Sequence, residues 1–242
     1  MVGLWADYNQ IAEQSLLRII ADELKLPLTQ IARRLELARI DGRTAEQALL
    51  DIEASAVAAL KLMDSYMLGL DLADHQQALP LEPVSLAAVL NDTAHDLDEL
   101  AKAYGVCLQL QIERANKPVM AHAAGLRAAF YSLGYALIQA REAHDEPSSI
   151  TFLINRSAGG VMAGLYGGMP KISAAHLRSA CRLARARQPL NQFSASSAAG
   201  VFVANLILQA MDGRLTTSRR QKQSGLAAIL PASRQLELAV AR

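Results

Sequence analysis

The stretch Ala21-Asp22-Glu23-Leu24-Lys25-Leu26-Pro27-Leu28-Thr29 is where residues able to do chemistry stand closest together. It sets two carboxylates and an amine within four residues. A carboxylate acts as a base in covalent chemistry only for a nucleophile held beside it. No histidine and no cysteine occurs between residues 4 and 73, so neither an imidazole nor a thiol stands beside these carboxylates. The five histidines, His75, His95, His122, His144 and His176, are scattered. None pairs at i, i+4 with another in a metal-binding pattern, and surface or capping roles are expected for them. Cys107 and Cys181 do not form a C-x-x-C pair, which argues against a zinc site or a disulfide framework and for a reducing compartment. Gly159-Gly160 and Gly167-Gly168 are lone dipeptides, the ordinary signal of a turn. Arg178, Arg182, Arg185 and Arg187 make one basic face, and Arg214, Arg219, Arg220 and Lys222 make another cluster. Solvated faces are the usual explanation of such runs, with an acidic protein partner as the functional alternative.

The chain that must position these residues has 242 residues, enough for one large domain or two small ones. Hydrophobic residues make up 52% of it, ample for a core. Aromatics at 5% argue against a stacking surface for single-stranded nucleic acid. A net charge of +1 gives no electrostatic reason to expect nucleic acid or an anionic membrane as partner. Charges interrupt every apolar run before it reaches the length of a membrane span. The N-terminus has no basic region followed by an apolar stretch, so no signal peptide is expected. These features together predict a cytoplasmic protein.

Residues 4–41 read as one long amphipathic helix, with Ile20, Leu24, Leu28, Ile31, Leu35 and Ala38 at steps of four and three. Pro27 inside it predicts a kink. Asp41-Gly42-Arg43-Thr44 supplies a C-terminal stop and a new N-cap. A second helix over 45–73 carries the apolar stripe Leu49, Ile52, Ala56, Leu60, Met63 and Met67. Two helices on a short loop form a hairpin that covers one stripe of each, so a four-helix bundle made by two chains is predicted. Pro80 and Pro83, with polar residues before them, mark 76–83 as a linker between a domain over 1–75 and another over 84–242. The second domain alternates. Its predicted helices span 85–104, 122–142, 173–186 and 197–211, and its strands lie near 106–113, 118–120, 150–155, 161–165, 215–218 and 226–230. The fold class predicted is α+β, a helical hairpin followed by an α/β sandwich.

The stretch from Ala21 to Thr29 resembles the phosphoacceptor box of bacterial sensor histidine kinases, His-Glu-Leu-Arg-Thr-Pro-Leu, with Asp22 at the position of the His. The order of elements resembles that of the kinase core: a dimerisation and phosphotransfer hairpin, then an ATPase-like domain. Glu82-Pro83-Val84-Ser85-Leu86 looks like the family's Pro-Val-Asp-Leu at the start of that domain, and Tyr104-Gly105-Val106 also matches. Ala210-Met211-Asp212-Gly213-Arg214-Leu215 resembles the family's His-Gly-Gly-Arg-Ile. The resemblance also shows what has been replaced. The two asparagines that hold magnesium and phosphates in the family correspond to Ser132 and Ala136, and alanine offers no oxygen to a hard cation. The adenine-reading aspartate of the first glycine box corresponds to Leu165, with Gly167 kept and Met169 in place of a glycine. The second glycine box has Ala198 for its first glycine and keeps Gly200. A phosphate cradle needs close backbone approach, which a β-carbon can block. The phosphatase position is Leu26.

The resemblance therefore implies a catalytically inactive, dimeric histidine kinase-like protein. It implies no cofactor and no metal. The expected partners are a second copy and either a response-regulator receiver domain or a kinase of a two-component pathway. The expected docking surface is Arg18, Asp22, Glu23, Lys25 and Gln30. Asp22 stands there either as a solvated residue or as an imitation of the charge on phosphohistidine, of which it carries about half. Alternative readings are a histidine phosphotransferase in a phosphorelay, which would need a His in the bundle, and a weakly active ATP-binding kinase. His95 lies beside Asp96 but on a helix of the second domain, away from the hairpin.

Overall fold

The computed structural model describes residues 21, 24–25, 27–29, 31–36, 38–39, 45–75, 79–112, 118–139, 148–157, 160–167, 198–220 and 223–233. The described residues up to 39 are helical. Then follow α1 (Ala45–His75), β1 (Glu82–Val84), α2 (Leu86–Ala103), β2 (Val106–Ile112), β3 (Val119–Ala121), α3 (Ala123–Gln139), β4 (Ser148–Ser157), β5 (Gly160–Gly167), α4 (Ala198–Gln209), β6 (Arg214–Arg220) and β7 (Gln223–Leu230). The strands expected from alternation and the helices that flank them are present among the described residues. The helix expected over 173–186 lies outside them. No helix among the described residues is long and apolar enough to cross a membrane.

Local chemistry explains the ends of these elements. Ser85 opens α2 in an extended conformation, and its Oγ accepts from the Ala88 N–H at 3.4 Å. Leu86, Val89, Leu90, Thr93, Ala94, Leu97, Leu100 and Ala101 recur at helical spacing and are all buried. The buried Thr93 hydroxyl donates to the Val89 carbonyl at 2.7 Å, so it enters the core satisfied. Gly105, at φ 63°, ends the helix in the left-handed conformation that suits glycine. His122 plays the capping part at α3, where its Nδ1 accepts from the Gly125 N–H at 3.1 Å.

Five strands form one mixed sheet in the order β2-β4-β5-β7-β6, with β2 parallel to β4 and every other pair antiparallel. The register aligns Phe152 with Leu165 and Leu226, and Ala163 with Ala228 and Leu215. That face carries the core on which the helices lie. Thr151, Leu153, Tyr166 and Ala227 point the other way and are buried too. Burial on both sides accounts for the nearly continuous apolar run of β4 and β5. Tyr166 lies across Gly164 and Gly225, and its hydroxyl donates to Ser218 Oγ at 3.0 Å. A second, two-stranded sheet pairs β1 with β3. Glu82 and Pro83, expected in the linker, are thus the first residues of a strand. Ser233 N–H donates to the Pro118 carbonyl at 2.8 Å and ties the end of the described chain to this small sheet.

The face that α1 buries differs from the stripe read in the sequence. Ala48, Ser55, Ala58, Leu62, Ser65 and Tyr66 are buried, and Ala58, Leu62 and Tyr66 join the same hydrophobic cluster as α2, α3, α4 and the sheet. Of the expected stripe, Leu49, Leu60, Met63 and Met67 are exposed, Leu60 at 63% and Met67 at 58%. The reason is close packing: a β-carbon on Gly69 would stand 2.8 Å from Val203 Cγ1, so small residues let α1 approach α4.

Inside α4, Asn205 is buried and neither atom of its amide has a hydrogen-bond partner among the described residues. Leaving a buried polar group unpaired costs about 1 to 3 kcal/mol. Asn205→Leu, which keeps the same branched skeleton of side-chain heavy atoms without that demand, is expected to raise the melting temperature by about 2 °C or more. A lower melting temperature in calorimetry would show that the amide is satisfied in solution.

Candidate functional site

The docking surface expected on a helical hairpin is only partly among the described residues. Arg18, Asp22, Glu23, Leu26 and Gln30 lie outside the described residues. Lys25 is helical and exposed, and Thr29 Oγ1 donates to its carbonyl at 2.7 Å. Pro27 is buried within helical residues, while Leu28 beside it is exposed. Leu24 packs against the core. The described part of this helix therefore offers one face to the protein and another, carrying Lys25 and Leu28, to solvent.

The positions matched to a nucleotide site come together, but inside the protein. Ser132 is 0% exposed and Ala136 2% exposed, both on α3. Leu165 lies in the middle of β5, fully buried, with Gly134 of α3 above it. A β-carbon on Gly134 would meet Leu165 Cδ2 at 3.6 Å and Phe152 Cζ at 3.8 Å. Gly200 in the first turn of α4 seats that helix on the same two α3 positions. Its added β-carbon would stand 2.9 Å from the Ser132 carbonyl oxygen and 3.5 Å from Ala136 Cβ. Gly167 is buried against Ile150. The side chain of Ala198 and all of Met169 lie outside the described residues. The Ser132 hydroxyl has no hydrogen-bond partner among the described residues. Chemically, this cluster offers one enclosed hydroxyl and apolar carbon, with no carboxylate or amide to read a base or hold a cation.

A charged cluster that the sequence reading missed lies where α1, α2 and α3 meet. Lys61 Nζ is 2.7 Å from Asp96 Oδ1, and Arg127 Nη2 is 3.3 Å from Asp96 Oδ2 and 3.8 Å from Asp92. The Lys61 ammonium also stands 5.7 Å from the centre of the Tyr131 ring. Burial pushes the Tyr131 phenol well above the usual tyrosine range, and the nearby Asp96 charge adds to the shift. The neutral phenol is therefore the form present at any physiological pH. No sequence motif flags this cluster, because its members come from three distant segments. His95 is exposed, and the carboxylate of its neighbour Asp96 is already engaged by the two cations.

The remaining candidates separate. Arg214 and Arg219 are exposed, while Arg220 Nη1 donates to Gln111 Oε1 at 2.9 Å. Arg178, Arg182, Arg185, Arg187 and Lys222 lie outside the described residues. Among the described residues, no group of three or more His, Cys, Asp or Glu side chains could hold a metal ion.

No protein-family model matches the chain, and no curated protein matches it. Solved structures do. The catalytic domain of histidine kinase ThkA superposes with a TM-score of 0.52 at 13% identity, over 64% of this chain and 97% of that domain. Acinetobacter baumannii histidine kinase AdeS gives a TM-score of 0.54 at 15% identity, over 87% of this chain and 98% of its own. Full-length ShkA, solved in complex with AMPPNP, gives 0.54 at 14% identity, with 93% of this chain matching 47% of that one. At such identities the likeness concerns fold alone. The α+β architecture of this chain is that of histidine kinase catalytic domains.

Proposed function

We propose that this protein is a histidine kinase-like signalling protein without kinase chemistry, a homodimer that works by binding a receiver domain or a kinase of a two-component pathway. The observation that carries the reading is the closure of the former nucleotide positions. Ser132, Ala136 and Leu165 are buried, and Gly200 brings α4 down onto the first two. A nucleotide has to be met by groups that reach solvent, and these do not. Asp22 in place of the phosphoacceptor supports the same reading from the hairpin side, since a carboxylate there leaves Glu23 no imidazole to assist. The exposed Leu49, Leu60, Met63 and Met67 on α1 support the dimer, because an apolar stripe of this length on a long helix is what a second helical pair covers.

Two measurements test it. A working nucleotide site at a hundredfold excess over its dissociation constant stabilises a protein by about 3 kcal/mol. ATP with magnesium is expected to leave the melting temperature of this chain unchanged, and a clear upward shift would remove the proposal. Titration with receiver domains should then reveal a binder, with Lys25→Glu weakening it by about tenfold through charge reversal at an exposed helix position. Equal binding by wild type and variant would move the docking surface away from Lys25.

A further inference from the structure

We propose that Lys61, Asp96 and Arg127 form a clasp that holds α1 against the sandwich, so that the hairpin's second helix and the sandwich move as one body. Two independent observations point to it. The first is steric. Ala58, Leu62 and Tyr66 of α1 are 2% exposed or less and share one core with α2, α3, α4 and the sheet. At the far end of the same face, Gly69 lets the helix approach Val203 of α4 to a distance that a β-carbon would shorten to 2.8 Å. The second is electrostatic. Asp96 on α2 is the shared anion of two cations, each from a different helix, at 2.7 Å to Lys61 and 3.3 Å to Arg127.

An isolated exposed ion pair contributes little. Asp96 is different because its side chain is only 18% exposed and each of its oxygens faces a separate cation. Removing that carboxylate takes from Lys61 the anion at 2.7 Å and leaves Arg127 only Asp92, at 3.8 Å. Lys61 is also held over the Tyr131 ring, so its position is fixed from two sides. The consequence is conformational. α1 has one bare apolar edge and one edge built into the sandwich. A partner seated on the bare edge is therefore presented with the sandwich at a set angle. The hairpin helix cannot swing away unless Asp96 lets go.

Hydrogen exchange on the unliganded full chain tests this without reference to nucleotide or receiver, so the clasp and the proposed function can fail separately. In the wild type, amides of α1 over 55–69 are expected to exchange as slowly as those of α3 over 129–138, both through global opening. Asp96→Asn should speed exchange over 55–69 and over 129–138 alike by about tenfold, which corresponds to about 1.4 kcal/mol, because a charge pair lost from the folded state lowers the free energy of the one opening that exposes both helices. Gly69→Val, which touches no charge, should do the same by forcing α1 off Val203. Lys102→Ala, which removes two exposed ion pairs elsewhere on α2, should leave the exchange of both helices unchanged. The clasp is overturned if α1 already exchanges faster than α3 in the wild type. It is equally overturned if Asp96→Asn leaves the exchange of α1 unchanged.

Discussion

Glutamate at Leu60, Met63 and Met67 together is expected to turn the proposed dimer into a folded monomer. These side chains are 63%, 44% and 58% exposed in the single chain, so changing them removes nothing from its core. In a pair of chains they supply six apolar side chains to the seam. At about 1.5 kcal/mol each they contribute on the order of 9 kcal/mol before the cost of association. Glutamate removes that contribution and sets like charges against one another across the two-fold axis. Sedimentation equilibrium should show a dimer for the wild type and a monomer for the triple variant, with unchanged helical circular dichroism. A wild type that sediments as a monomer, or a variant that stays dimeric, would remove α1 from the interface. The same substitution placed on the other edge, at Leu62, should unfold the chain instead, because Leu62 is fully buried in the common core.

Gly225→Ala is expected to be among the most damaging single methyl groups in the sheet, its backbone contact being second in closeness only to that at Gly160 among the described glycines. A β-carbon at Gly225 would stand 2.2 Å from the Leu165 carbonyl oxygen and 2.7 Å from Tyr166 Cδ1. The first contact is with backbone of the neighbouring strand, which cannot rotate away as a side chain can. Relief requires β5 and β7 to part, at a row where Tyr166 pairs with Gly225. It would also lift the Tyr166 ring from Gly164 and pull its hydroxyl from Ser218. Overpacking a core costs about 1 to 3 kcal/mol where side chains can adjust. A clash with backbone should reach about 3 kcal/mol or more, a large part of the stability of a typical domain. Urea titration should show a much lower midpoint for Gly225→Ala than for Ser224→Ala, its exposed neighbour. Equal midpoints would mean that the strands are further apart in solution.

The legible parts of this fold were those governed by neighbours in the chain. Ser85, Gly105 and the turn before Gly160 announced element ends because capping and turn chemistry act within a few residues. The strands of the sheet followed from alternation or from short apolar runs between turn signals. The buried face of α1 did not follow. Its members include Ala48, Ser55, Ala58, Ser65 and Gly69, whose small size permits close helix approach but leaves no hydrophobic signature. Larger residues beside them, Leu49, Leu60, Met63 and Met67, marked only the other edge, which is exposed in the single chain. Lys61, Asp96 and Arg127 were illegible for a related reason. Charge pairing across three helices depends on their crossing, and no spacing in the chain encodes it.

By itself the sequence determined which chemical groups stand at each position. Asp22 lacks an imidazole's nucleophilic nitrogen, Ala136 offers no oxygen ligand, and Leu165 has no carboxylate, whatever the fold around them. It also determined the order of helices and strands, since capping, turns and periodicity are local. Only the tertiary structure decided which of those groups can be reached. Ser132, Ala136 and Leu165 are closed because α4 rests on α3 through Gly200 and β5 faces the helical layer. Accessibility is a property of packing between segments far apart in the chain. That is why α1 was read as one amphipathic helix and is instead a helix with two working edges, one in the core and one bare.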